Sequence, residues 1–92
     1  MKQLAGLIIS GDVQGIGYRY FARNEAHRLG LTGWTRNNTD GTVECEVEGE
    51  KENIEKFIQI LRSKHPWARV DSVKITWIET KSNGKYSDFF IK

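Results

Sequence analysis

Apolar residues along this chain fall into short runs with two different periods. Leu4, Leu7, Ile8 and Ile9 form a compact run stopped by Gly11, which predicts a buried strand over 4–10. From Tyr18 the period becomes helical. Tyr18, Phe21, Ala22, Ala26 and Leu29 share one face while Arg23, Glu25 and Arg28 take the other, and Gly30 stands where a C-cap belongs. A second strand is predicted over 31–37, followed by Asn38, Thr39, Asp40 and Gly41 as turn chemistry and then by strict alternation. Val43, Cys45 and Val47 alternate with Glu44, Glu46 and Glu48, giving one buried and one wet, acidic face. Ile54, Phe57, Ile58 and Leu61 keep the i, i+3, i+4, i+7 rule of a second helix that is over by Pro66. Val73, Ile75 and Trp77 alternate again, Ser82, Asn83 and Gly84 supply a loop, and 86–91 reads as a terminal strand.

The order is βαββαβ with an added strand. The second and third strands form a hairpin, and strands alternate with helices elsewhere, which predicts an α+β, ferredoxin-like sandwich. The sheet is mostly antiparallel with both helices on one face, the face opposite the glutamates of the third strand. Residues 1–92 are expected to make a single domain, since a chain of 92 residues supports one core and no linker divides it.

Composition narrows the partners. Hydrophobic residues make up 38% and charged residues 28%, an ordinary globular balance. A net charge of +2 is too small to attract nucleic acid in bulk, although a local site for a small anion remains open. The lone Cys45 excludes an intramolecular disulfide and provides no zinc cluster, so a reducing, cytoplasmic setting is expected. Lys2 and the apolar run up to Ile9 are too short for a signal-peptide core and lack an Ala-x-Ala site. No other segment is long enough to cross a membrane.

The chemistry concentrates in Gly11-Asp12-Val13-Gln14-Gly15-Ile16-Gly17-Tyr18-Arg19, between a strand and a helix start. Three glycines let successive backbone N–H groups face one point, to which the helix N-terminus adds its positive end, so a phosphate fits. Arg19 sits in the first helical turn, unfavourably placed against the dipole unless it grips an anion. The same residues also read as a tight turn beside a solvated arginine. A nucleotide-binding phosphate loop would need a lysine that this loop lacks, and a thiol phosphatase would need a cysteine where Val13 stands. Direct attack by water remains, which requires a good leaving group such as a carboxylate.

At this loop the sequence resembles the acylphosphatase family. GDVQGIGYR is similar to that family's signature loop, and Gly33-Trp34-Thr35-Arg36-Asn37 with Asp40-Gly41-Thr42-Val43-Glu44 to its second motif. Pro66-Trp67-Ala68-Arg69-Val70 and Tyr86-Ser87-Asp88-Phe89 extend the likeness over nearly the whole chain. The resemblance implies metal-independent hydrolysis of the carboxyl-phosphate bond of acyl phosphates, giving a carboxylate and inorganic phosphate without a cofactor or a covalent intermediate. It implies that Val13, Gln14, Gly15, Ile16, Gly17, Tyr18 and Arg19 hold the phosphoryl group. Arg19 and Asn37 are the implied catalytic pair, with Asn37 positioning the water. From spacing alone Asn37 reads equally as a turn-former before the hairpin. Asp12 departs from the family's usual basic or neutral residue and is expected to face solvent, while Ile16, Tyr18 and Thr35 should alter packing more than chemistry.

Other residues carry less. His27 and His65 are far apart and lack a ligand cluster, so surface roles are expected. Cys45 reads as core. Trp34, Trp67 and Trp77 on a four-stranded sheet of this topology are compatible with base stacking, but Glu44, Glu46 and Glu48 argue against RNA. The expected partners are a small acyl phosphate and inorganic phosphate, with no nucleic acid, no membrane and a monomeric state. Two alternatives stand behind the enzyme: a non-catalytic anion-binding module, and a module for carbamoyl phosphate in a larger enzyme, which is disfavoured because no further domain follows Lys92.

Overall fold

The computed structural model describes residues 2–79 and 84–92. Its elements are β1 (Lys2–Asp12), α1 (Tyr18–Arg28), β2 (Thr32–Asn37), β3 (Val43–Glu50), α2 (Lys51–Ser63), β4 (Arg69–Ile78) and β5 (Phe89–Ile91). They form one five-stranded sheet in the order β4-β1-β3-β2-β5. The first four strands pair antiparallel, and β5 alone pairs parallel, alongside β2. Two helices on this mixed sheet give the expected α+β ferredoxin-like fold with a C-terminal strand.

Strand alternation decides which face carries the helices. Ala5, Leu7 and Ile9 of β1 and Val43, Cys45 and Val47 of β3 point one way and are fully buried. Against them pack Tyr18, Ala22 and Ala26 of α1 and Ile54, Phe57, Ile58 and Leu61 of α2. Each large apolar side chain so buried stabilises the fold by about 1.5–3 kcal/mol. Two contacts lock the layer. The buried Tyr18 hydroxyl donates to the Leu61 carbonyl at 2.6 Å, and the Phe57 and Phe89 rings meet edge-on at 6.0 Å. Helix α1 closes as its C-terminal glycine predicts, with the Leu31 N–H returning to the Ala26 carbonyl at 2.8 Å.

The opposite face differs from the expected wet, acidic surface. Glu48 is 1% exposed. One of its carboxylate oxygens accepts the N–H of Lys85 at 3.1 Å and the other that of Tyr86 at 3.3 Å. Glu46 accepts from Tyr86 Oη at 2.8 Å, Lys85 Nζ at 3.1 Å and Trp34 Nε1 at 3.2 Å. Lys85 and Tyr86 thus lie across the glutamates and cover them. The same geometry shortens the last strand. The predicted run over 86–91 pairs only from Phe89, because residues 85–86 spend their backbone N–H groups on Glu48 rather than on a ladder. The predicted loop residues Ser82 and Asn83 lie outside the described residues.

Candidate active site

β1 and β2 both run antiparallel to β3, and β5 runs parallel to β2. The carboxyl ends of β1, β2 and β5 therefore share one edge of the sheet, and α1 starts there because it follows β1. Topology alone brings the loop over 13–17, Asn37 and Lys92 together.

The loop is shaped by Gly15 and Gly17, at φ of +77° and +74°, a left-handed conformation that side chains with a Cβ disfavour. Gly17 is the N-cap of α1, and no side chain caps that end. The first helical bond is from the Phe21 N–H to the Gly17 carbonyl at 3.0 Å, leaving the earlier N–H groups of the turn turned outward. No acidic residue occupies this first turn. Backbone donors, dipole and the Arg19 cation all favour an anion here.

These groups enclose a small cavity of about 90 Å³. Val13, Gly15, Gly17, Tyr18 and Arg19 line it from the loop side, joined by Tyr20 and by Asn37 from the end of β2. A liquid water occupies about 30 Å³, so the space suits a few oxygen-sized atoms. Asn37 sits opposite Val43 in the ladder, on the helix-bearing face, whereas its neighbour Arg36 turns outward to Glu44 at 2.9 Å. Asn37 is exposed, and its carboxamide has no hydrogen-bond partner among the described residues. One Arg19 N–H donates to the Lys92 main-chain oxygen at 3.3 Å, which leaves most of its five donors open.

Gln14 and Ile16 do not line the cavity. Ile16 packs against the core, and Gln14 reaches sideways, its Nε2 donating to the carbonyls of Asn38 and Thr42, each at 2.9 Å. That strut ties the glycine loop to the hairpin bearing Asn37. The hairpin is stiffened by Asp40, whose carboxylate accepts from the Thr42 hydroxyl at 2.7 Å and its N–H at 3.0 Å. Those two bonds hold the Asp40 carboxyl below its usual range. Neither Gln14 as a strut nor Tyr20 as a wall was foreseen. The polar amide of Gln14 within a glycine loop was the available signal for the first, and for Tyr20 only its place beside Arg19.

The remaining sequence candidates lie elsewhere. Asp12 is exposed, as expected. Cys45 is buried against Thr35, with burial pushing its thiol up to about 12. His27 Nε2 lies 3.0 Å from Asp88 Oδ1 on the surface. His65 is half-buried rather than free, its ring 5.0 Å from Phe21 and 5.7 Å from Tyr18. A larger groove of about 790 Å³ runs beside α2 past Leu29, Ile58 and Trp77, but it is wide open and lined by charges of both signs. No helix among the described residues is long and apolar enough to cross a membrane.

Comparison with known proteins identifies the setting of this cavity. The sequence model of the acylphosphatase family matches residues 5–91. An acylphosphatase of Caldanaerobacter subterraneus is 44% identical over 91 residues, covering 99% of each chain. The crystal structure of acylphosphatase from Bacillus subtilis superposes with a TM-score of 0.88 at 33% identity, covering 100% of this chain and 99% of that one. HypF of T. kodakarensis contains a similar unit, with a TM-score of 0.83 at 34% identity over 98% of this chain but 12% of HypF. A glycine loop leading into a helix without a side-chain cap, full-length likeness to the two acylphosphatases and the family match agree, and the chain belongs to the acylphosphatase family.

Proposed function

We propose that this protein hydrolyses acyl phosphates by direct attack of a water held by Asn37, with the phosphoryl group gripped by Arg19 and the loop N–H groups. Acyl phosphate hydrolysis itself follows from the family and fold. The observation that carries the finer reading is that Arg19 and Asn37 line one cavity sized for a phosphoryl group and a water.

The water oxygen forms a bond to phosphorus as the bond from phosphorus to the acyl oxygen breaks. The electron pair leaves on the carboxylate, and the water's proton passes to solvent. Charge spreads over three equatorial oxygens, where a fixed guanidinium and preorganised N–H groups lower the barrier most. The Asn37 carboxamide accepts one hydrogen bond and donates others, so it orients a water without acting as a strong base. No thiol takes part, because Cys45 is sealed in the core. A buried free thiol also suits a reducing cytoplasm, where we place the activity, and the protein is expected to act as a monomer.

The test is turnover of acetyl phosphate beside a titration with inorganic phosphate, each with and without exhaustive chelation. Turnover unchanged by the chelator, with competitive inhibition by phosphate, is the expected result. Phosphate binding without turnover would leave an anion-binding module. Activity lost to the chelator and restored by a metal would refute the metal-independent mechanism.

A further inference from the structure

The cavity is small, so an acyl group on a phosphoryl group held there extends toward its mouth. Of the large side chains around it, Val13 and Tyr18 are buried, while Tyr20 is 56% exposed. Tyr20 is in the first turn of α1, directly after Arg19, and lines the same cavity as the arginine assigned to the phosphoryl group. Arg23, one turn on, places its guanidinium carbon 5.3 Å from the centre of the ring. This is the spacing of a cation–π contact, which steadies an otherwise mobile surface side chain over one face and leaves the other open.

Resting on the hydrolase reading above, we infer that Tyr20, steadied by Arg23, is the acyl-side contact of the site and selects flat, aromatic acyl groups over short aliphatic ones. An exposed aromatic ring at the rim of a polar cavity supplies an apolar surface for the acyl side of the scissile bond. A planar acyl group stacks on it in offset or edge-on fashion, whereas a methyl group covers little of the ring. The contact lies away from the reacting phosphorus, so it is made equally in ground and transition states. Its signature belongs in KM for the aromatic substrate rather than in kcat.

The experiment measures kcat and KM for benzoyl phosphate and acetyl phosphate, with the inhibition constant of inorganic phosphate, in the parent, Tyr20→Ala, Tyr20→Leu and Tyr20→Phe. In Tyr20→Ala and Tyr20→Leu the ratio of kcat/KM for benzoyl over acetyl phosphate is expected to fall about 3- to 10-fold, through KM. Tyr20→Phe, which keeps the ring, is expected to hold the parental ratio. An unchanged ratio in Tyr20→Ala, or a parental ratio in Tyr20→Leu, overturns the aromatic contact while the hydrolase reading stands. A parent that turns over neither substrate overturns the hydrolase reading itself.

Discussion

Two polar clusters sit at different places on this sheet, and they are built on opposite terms. On the outer face, Glu46 and Glu48 are enclosed by Lys85, Tyr86 and Trp34, and both carboxylates are bonded through both of their oxygens. At the carboxyl edge, the Gly17 helix start has no side-chain cap, most Arg19 donors are open and Asn37 has no partner among the described residues. Closed hydrogen bonding marks a structural cluster, because an unpaired buried polar group costs about 1–3 kcal/mol. Open donors around one small cavity are what the proposed phosphoryl site requires. Charge alone would have pointed to the wrong cluster, since the glutamates are the denser of the two.

Substitutions at each cluster sharpen the contrast. Asn37→Ala should have the largest effect, lowering kcat on the order of 10²–10³ while phosphate inhibition and the unfolding midpoint change little. Asn37→Asp should not restore the rate, because it loses the amide donors and adds a negative charge beside an anion. Near-parental kcat in folded Asn37→Ala would reduce the residue to a hairpin element. Arg19→Ala should weaken phosphate inhibition and turnover together by roughly 1.5–3 kcal/mol, and Arg19→Lys should recover little, lacking the planar fork. Phosphate inhibition equal to the parent's would remove Arg19 from the site.

The outer cluster should respond in stability and not in rate. Glu48→Ala strands the N–H groups of Lys85 and Tyr86 and is expected to cost about 1–3 kcal/mol by denaturant titration, with kcat nearly parental in the folded fraction. A loss of kcat without a loss of stability would break the division between the clusters. Glu46 gives the smallest effect and a pH signature. Burial would raise its carboxyl, but hydrogen bonds from Tyr86 and Lys85, the Lys85 charge and the Trp34 N–H outweigh it and hold the group below its ordinary 4.5. Its contribution is therefore present above that value and lost as the pH falls through the lower folded one. The parent should exceed Glu46→Gln by up to about 1 kcal/mol at neutral pH and converge with it in acid. Curves that stay parallel down to strong acid would show that ionisation of Glu46 is not what stabilises the cluster.

Most of the fold was legible because periodicity reports burial directly. Val43, Cys45 and Val47 had to face a core, and Ile54, Phe57, Ile58 and Leu61 had to lie on one helical stripe. The proposed site residues come from two motifs, and the structure gathers Val13, Gly15, Gly17, Tyr18, Arg19 and Asn37 around one cavity. What alternation could not reveal was the cover over Glu46 and Glu48. A strand pattern says which way a side chain points, not whether a segment some 40 residues later crosses over it. The same limit hid Gln14, whose bonds to Asn38 and Thr42 are set by how two loops meet and not by the period of either.

The short, parallel strand β5 has a consequence for how the site comes into being. Arg19 is steadied by the main-chain oxygen of Lys92, a contact across 73 positions, and Lys92 is itself held by its N–H to Thr35 at 2.8 Å. Contacts of such separation form late, since the loop entropy they cost is recovered only once the intervening chain is ordered. A chain emerging from its amino end would thus have its glycine loop long before the arginine beside it is braced. Bracing of Arg19 would wait for β5 to dock beside β2.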